Sequence, residues 1–347
     1  MRDGGSRLAL AIPLLGFIAA MVALATAGSP GAAHTSTTAP SSTPGMHRRA
    51  GTAQPSFAAA PHVTATNMGT LPAAVEDAAV APAGAGRVAL LGGIDAAQSS
   101  TDQITIVDGG ATSDGGTLIA PQHDAQAARL GAYVYVFGGG VVSSFDHILR
   151  YDPSSRQVTQ VGALPTSASD VAVSTVGSTA YVVGGYDGVH PLDTIVAWRP
   201  DMGVRVVGHL PTGLRYAAVA GAGDRLIIAG GSAGPSETLS DVIFSFDTAT
   251  GALARIGRLP VALTHASAVT LDGQVLVVGG RRSLDGSQTD AILAIDPVSG
   301  RVRTAGHLPS PLSDAAVTTS GERVVVAGGA SPAGTERAII ALVAATH

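Results

Sequence analysis

Gly-Gly pairs close apolar runs at six places in this chain: Gly92-Gly93, Gly138-Gly139, Gly184-Gly185, Gly230-Gly231, Gly279-Gly280 and Gly328-Gly329. The steps between them are 46, 46, 46, 49 and 49 residues. A second marker, Gly-x-Leu, recurs at Gly69-Leu71, Gly116-Leu118, Gly162-Leu164, Gly208-Leu210, Gly257-Leu259 and Gly306-Leu308, with Pro directly after the Leu in five of the six copies. From that Leu to its Gly pair is 21 residues in the first unit and 20 in the other five. Two markers locked together six times define an array of like units. A unit of this length is too small to bury a core alone, so each must pack on its neighbours.

Each unit carries four strand-like runs. The first is small and alternating, as in Ala217 to Ala220. The second is apolar and ends at the Gly pair, as in Tyr133 to Phe137, Leu226 to Ala229 and Val275 to Val278. The third starts near an acid: Asp146 to Tyr151, Asp193 to Trp198, Asp241 to Phe246 and Asp290 to Ile295. The fourth is amphipathic and leads into the next Gly-x-Leu, as in Gln157 to Val161 and Val204 to Val207. Period-two alternation between Gly, Pro and Asp boundaries is a strand signature. Asp152-Pro153, Asp247-Thr248 and Asp296-Pro297 mark the turns between third and fourth strands. Four-stranded units at this period fit the blades of a β-propeller, an all-β fold whose ring leaves only short, protected edges.

The ends of the chain predict how the ring closes. After the sixth Gly pair only one more strand fits, Arg337 to Val343, so the sixth unit lacks its fourth strand. A spare copy of that strand lies at the other end, His62 to Gly69. The expectation is that these two pair, making residues 62–347 one six-bladed domain.

Upstream, Arg2 and Arg7 precede an apolar run from Leu8 to Ala27. Twenty helical residues span about 30 Å, the thickness of a bilayer core. Residues 1–27 read either as a signal peptide cleaved near Ala25-Thr26-Ala27 or as an uncleaved anchor. Both place the remainder outside the cytoplasm. Residues 28–61 are rich in Ala, Ser, Thr and Pro, and read as a disordered linker that has too little apolar surface to order itself.

Composition excludes several chemistries. There is no Cys, which removes disulfides, thiolate nucleophiles and Cys-ligated metals. There is no Lys, which removes Schiff-base chemistry through a side-chain amine. A formal charge of −5 offers no basic footprint for nucleic acid. Gly230-Gly231-Ser232-Ala233-Gly234 matches the nucleophile-elbow pattern, but that motif needs a strand-to-helix turn and here it sits on a repeat marker. The Asp/Gly-rich run from Asp108 to Gly116 lacks the ligand spacing of a calcium loop.

The Gly pair after an apolar strand, the acidic start of the third strand and the Asp-Pro turn together resemble kelch repeats, and the chain is similar to exported bacterial kelch-type proteins. The resemblance spans all six units and implies a kelch-type propeller. Kelch blades usually add a Tyr before and a Trp after the third strand; here Trp198 is the sole Trp and no unit has the full pair. In such propellers the first strand is innermost, and the residue entering it opens on the channel. That position lies fourteen residues before each Gly pair, fifteen in the first unit: Asp77, Asp124, Asp170, Tyr216, His265 and Asp314. Four Asp around one narrow mouth would focus a negative field that attracts a cation or polar ligand, and like charges would raise some of their pKa values. Exchanging Asp124, Asp170 and Asp314 for Asn is therefore expected to raise stability slightly. Arg215, Tyr186, Arg281 and Arg282 complete the candidate ligand-binding set, on the mouth or on the loops after the Gly pairs. No metal or cofactor is expected.

The expected function is a non-enzymatic, monomeric binding module outside the cytoplasm. Its partner would be a protein, a peptide or an envelope glycan, with no nucleic acid and no membrane contact except through the N-terminal helix. The alternative is a propeller enzyme acting on a sugar or similar polar metabolite, epimerase- or mutarotase-like, with Asp170 and His265 as acid and base.

Overall fold

A computed structural model describes residues 62–284 and 286–345. The expected signal or anchor segment and the linker lie outside the described residues.

The described chain forms six four-stranded antiparallel sheets. Five are built from consecutive chain, each running from an inner to an outer strand. In the third, for example, Ala172–Val176 pairs with Thr179–Val183, then Thr194–Arg199, then Gly203–His209. The sixth joins both ends: Ala316–Ser320, Arg323–Ala327 and Ala338–Ala344 are completed by Val63–Thr70 from the start of the described chain. Val63 pairs with Ala344 and Thr70 with Ala338, as the strand count predicts. The six inner strands touch one another in a closed cycle, the last against the first. These are the blades of a β-propeller.

The core is not central. It is divided into six apolar clusters, each between two adjacent blades. Trp198 belongs to one of them, packed against Tyr135 with ring centroids 4.5 Å apart and against Phe137 at 5.5 Å. Burial between layers replaces the missing core of the single repeat.

The sequence markers acquire physical causes. Each second glycine donates its N–H to a carbonyl of the next blade: Gly93 to Gln122, Gly139 to Ala168, Gly185 to Leu214, Gly231 to Leu263, Gly280 to Leu312 and Gly329 to Val75, all at 2.7–2.9 Å. That carbonyl lies where a Cβ on the first glycine of the pair would sit. The first glycines also have φ between +61° and +69°. A side chain there would both strain the backbone and push two blades apart. The fourth strand of every blade has a register shift just before the Gly of Gly-x-Leu, a β-bulge that bends the chain toward the next blade. The Leu that follows is buried in all six.

One position breaks the pattern. Two residues before each channel residue stand Val75, Gln122, Ala168, Leu214, Leu263 and Leu312. Gln122 is 0 % exposed, and neither its Oε1 nor its Nε2 has a hydrogen-bond partner. A buried amide without partners costs about 1–3 kcal/mol. Gln122→Leu is expected to raise stability by about that amount in urea unfolding. An unchanged or lower midpoint would mean that the amide is satisfied by bound water.

Two expectations about tempting motifs end here. Ser232–Ala233 is a short strand paired with Leu214–Arg215, and the Ser232 hydroxyl bonds the Thr264 hydroxyl at 2.9 Å inside the protein. No helix follows it, so it is not a nucleophile elbow. The Asp/Gly-rich run forms a turn and the outer strand Ala111–Thr117 of the first blade.

Candidate functional site

Asp77, Asp124, Asp170, Tyr216, His265 and Asp314 line one end of the central channel, a cavity of ≈ 290 Å³. All six have positive φ, between +50° and +58°. Five backbone hydrogen bonds tie these positions from blade to blade. The amide of Asp77 donates to the carbonyl of Asp314, Asp124 to Asp77, Asp170 to Asp124, Tyr216 to Asp170, and Asp314 to His265, at 2.9–3.2 Å. Asp tolerates the left-handed region better than most residues, so part of the Asp preference at this position is a backbone requirement. His shares that tolerance, so Tyr216 is the exception. Bulky residues in left-handed backbone persist where the surroundings hold them there, often at functional positions.

The residue preceding each of the six pairs with the residue following its own blade's Gly pair: Glu76 with Ile94, His123 with Gly140, Ser169 with Tyr186, Arg215 with Ser232, Thr264 with Arg281, and Ser313 with Ala330. The loops after the Gly pairs therefore surround the mouth, as expected from the sequence.

In ring order Asp314, Asp77, Asp124 and Asp170 form one continuous acidic arc over four blades. Each end of the arc is held by a guanidinium. Arg215 Nε lies 2.5 Å from Asp170 Oδ2, and its Nη1 bonds Glu237. Its guanidinium also lies over Tyr186 at 4.1 Å and near Tyr216 at 5.2 Å from the ring centroids. At the other end Arg281 Nη2 lies 2.5 Å from Asp314 Oδ2, and its Nε donates to the Ser313 hydroxyl at 3.2 Å. The side chains of Asp170 and Asp314 are only 2 % and 1 % exposed. These two carboxylates are buried ion-pair partners, not free charges.

This corrects the expectation that Asn would be mildly stabilising at Asp124, Asp170 and Asp314 alike. Removing Asp170 or Asp314 breaks a buried ion pair with Arg215 or Arg281, so a gain is expected only in the middle of the arc.

Asp77 and Asp124 occupy that middle, and no guanidinium bonds either of them. Burial against the channel wall raises the Asp77 pKa well above the usual range, and Asp124, Asp314 and Glu76 push it further. Asp124 is raised for the same reasons, burial first and then Asp170. Asp314 stands beside Asp77 and Asp170 beside Asp124, and each adds to the upward push on its neighbour. Carboxyls whose pKa is raised on folding make stability fall as pH rises above the unfolded carboxylate range, about 3.9. Asp77→Asn with Asp124→Asn is therefore expected to stabilise the protein on the order of 1 kcal/mol or more at pH 8, and less at pH 5. Urea unfolding at the two pH values checks this. A gain that does not grow with pH would show that these acids are not protonated in the fold.

Opposite the arc, the Tyr216 and His265 rings stack at 3.7 Å and 23°. Burial pulls the His265 pKa down to about 4, against the opposing pull of Asp314, so the imidazole is neutral at pH 7. Burial also raises the Tyr216 pKa, and the acids Asp124 and Asp170 add to that. The Tyr216 hydroxyl reaches across the channel to Asp124 Oδ2 at 3.4 Å. His123 Nε2 lies 3.6 Å from Asp124 Oδ2, while its Nδ1 shares a hydrogen bond with Ser100 at 2.8 Å. Two buried atoms, His265 Nδ1 and Asp314 Oδ1, receive no N–H or hydroxyl hydrogen.

The structure thus gathers nine of the ten residues proposed from sequence. Arg282 is the exception. It is exposed, and its backbone amide, not its side chain, makes the bond to Ser287. Glu237 was missed. It lies in the fourth blade's loop after Gly230-Gly231, so applying the loop rule to all six blades alike would have found it. Among the described residues, no group of three or more His, Asp or Glu side chains is arranged to hold a metal ion.

Fold and repeats together define a β-propeller with a kelch-like repeat, open at a mouth where the repeats differ. Among solved structures the chain is similar to that of YjhT, with a TM-score of 0.69 and 16 % sequence identity, covering 80 % of this chain and 97 % of that one. At this identity the likeness is one of fold. No family model matches the chain, and no curated protein matches it by sequence.

Proposed function

We propose that this protein is an extracytoplasmic, non-enzymatic binding module whose ligand docks at the channel mouth and on the loops around it. One observation carries the reading: the blades are alike in their Gly pairs, bulges and buried Leu, and they diverge at the mouth. Tyr186, Arg215, Tyr216, His265 and Arg281 are concentrated there, linked across blades by ion pairs and ring stacking. Aromatic and Arg side chains in a partly desolvated concavity are the usual anchors of recognition. The partner class is a protein, a peptide or an envelope glycan, and export rests on the N-terminal apolar run.

The test is a thermal-shift screen of the full chain against peptides and envelope oligosaccharides. Each hit is repeated with Tyr216→Asn, which keeps a left-handed-tolerant residue, and with Thr319→Ala, on the channel lining away from the mouth. Hits abolished by the first change and untouched by the second are expected. Hits indifferent to Tyr216→Asn would overturn the reading.

A second reading has its own support. A neutral imidazole in one ring with carboxyls whose pKa values burial raises is the pairing used for acid–base chemistry near pH 7. A sugar epimerase- or mutarotase-like activity would use it. NMR exchange between the anomers of aldoses decides: acceleration lost in His265→Asn would favour the enzyme, and no acceleration is expected for the binding module.

A further inference from the structure

The channel has a second end, and the chemistry gathered there is independent of the mouth. The six inner strands run away from the mouth. Five residues on from the acidic ring they carry Pro82, Arg129, Thr175, Gly221, Thr270 and Thr319, each half-buried and each lining the cavity. At the mouth, side chains meet across the bore, with the Tyr216 hydroxyl 3.4 Å from Asp124 Oδ2. Among the described residues no such bond spans the far end. The Thr270 hydroxyl donates to the Gly221 carbonyl at 2.6 Å, between neighbouring blades only.

Arg129 is the single charged member of the far ring, and an irregularity in the neighbouring blade makes room for it. Of the six inner hairpins only the first has a register shift, between Pro82 and Gly84. This bulge accounts for Asp77 standing fifteen places before its Gly pair where the other blades have fourteen. Gly84 has a φ of +89°, and a Cβ on it would stand 2.8 Å from Arg129 Nη1. The guanidinium of the second blade therefore lies against a bulge of the first that has no side chain to displace it. Bulges that re-aim a side chain in this way cluster beside functional sites. Arg129 Nε donates to the Gly131 carbonyl at 2.9 Å. Among the described residues its Nη1 and Nη2 make no hydrogen bond, and no carboxylate pairs with it. Two such nitrogens side by side match the two oxygens of one carboxylate.

Two more uncommitted groups line the same cavity. Gln126 lies deeper on the second blade and Thr175 stands on the third, level with Arg129. Neither side chain has a hydrogen bond among the described residues. A cavity with a few convergent polar groups is the usual setting for a small ligand. The acidic arc at the mouth end of the cavity opposes a second negative charge on that ligand.

We propose that the end of the channel away from the mouth binds a small hydroxylated monocarboxylate, its carboxylate on Arg129 Nη1 and Nη2 and its hydroxyls on Thr175 and Gln126.

The experiment is an NMR titration of the full chain with glycerate, glycerol and tartronate, probes of one carbon skeleton that carry one, no and two carboxylates. Glycerate is expected to bind about fivefold or more tighter than glycerol, and tartronate more weakly than glycerate. The amide shifts should centre on Gly84, Arg129, Gly131 and Thr175. Arg129→Gln should remove the preference for glycerate over glycerol. Thr175→Val should weaken glycerate several-fold and leave propionate, which has no hydroxyl, unchanged. Urea midpoints of both variants should match that of the parent chain, so that a loss of binding is not a loss of fold. No binding of glycerate, equal binding of glycerate and glycerol, tighter binding of tartronate, or a preference that survives Arg129→Gln would each overturn the proposal. Glycerate shifts centred on Tyr186, Tyr216 and Arg281 would overturn it too, while leaving the mouth as a binding site.

Discussion

A chain begun at Leu71 is expected to unfold far more readily than one begun at His62, or not to fold at all. The eight residues of Val63–Thr70 are the outer strand of the sixth blade. They hydrogen-bond along Ala338–Ala344, and among the described residues no other strand pairs with that edge. Val63 is buried in the cluster between the fifth and sixth blades, where Ala65 packs beside it. Met68 lies against the cluster between the sixth and first. Their loss would uncover Ile340 and Leu342 and leave an unpaired edge. In a ring of nearest-neighbour interfaces, two weakened contacts at one blade are felt by the whole. The expected cost is about 5 kcal/mol or more, a size reserved for losses of this kind, together with aggregation through the bare edge. Urea and thermal unfolding of the two chains provide the measurement. Equal midpoints would mean that the ring is held shut by the inner strands alone, without the joining of the two ends.

Arg215→Met is expected to be the most damaging single change at the mouth. The guanidinium satisfies Asp170 at 2.5 Å, and the Asp170 side chain is 2 % exposed. Removing one partner of a buried ion pair strands the other charge, at a cost of about 3–5 kcal/mol. Stacking on Tyr186 at 4.1 Å would be lost as well. Adding Asp170→Asn to Arg215→Met should recover much of the loss, because an amide costs less to bury than an unpaired charge. Arg282→Met serves as control. That residue is exposed on the neighbouring fifth-blade loop, and the change should stay within about 0.5 kcal/mol. If Arg215→Met proved as harmless as Arg282→Met, the arc would not be held by buried ion pairs. The excess of acid at its centre would then lose its meaning.

The contrast between those two arginines shows where reading the chain stops. Both were chosen from sequence for the same kind of reason. Arg215 precedes a channel residue, and Arg282 follows a Gly pair. The fold sends Arg215 inward, 45 residues back along the chain to Asp170, and leaves Arg282 in solvent. Arg281, one residue earlier, finds Asp314 from 33 residues away. Such pairs join neighbouring blades, and no spacing within one repeat encodes them. Gln122 makes the same point in reverse. By its place in the repeat it belongs with Val75, Leu214 and Leu312, and only its burial shows that it is an amide without partners.

The amino-acid sequence alone determined the number of blades, the strand order and the joining of the two ends. Those follow from local demands repeated six times: glycine where a neighbouring carbonyl leaves no room for a Cβ, a bulge before each Gly-x-Leu, and one strand too few at the end matched by one too many at the start. Tertiary structure alone decided which acids at the mouth are neutralised and which are not. Charge compensation depends on distances between side chains of different blades, and those distances exist only once the ring has closed.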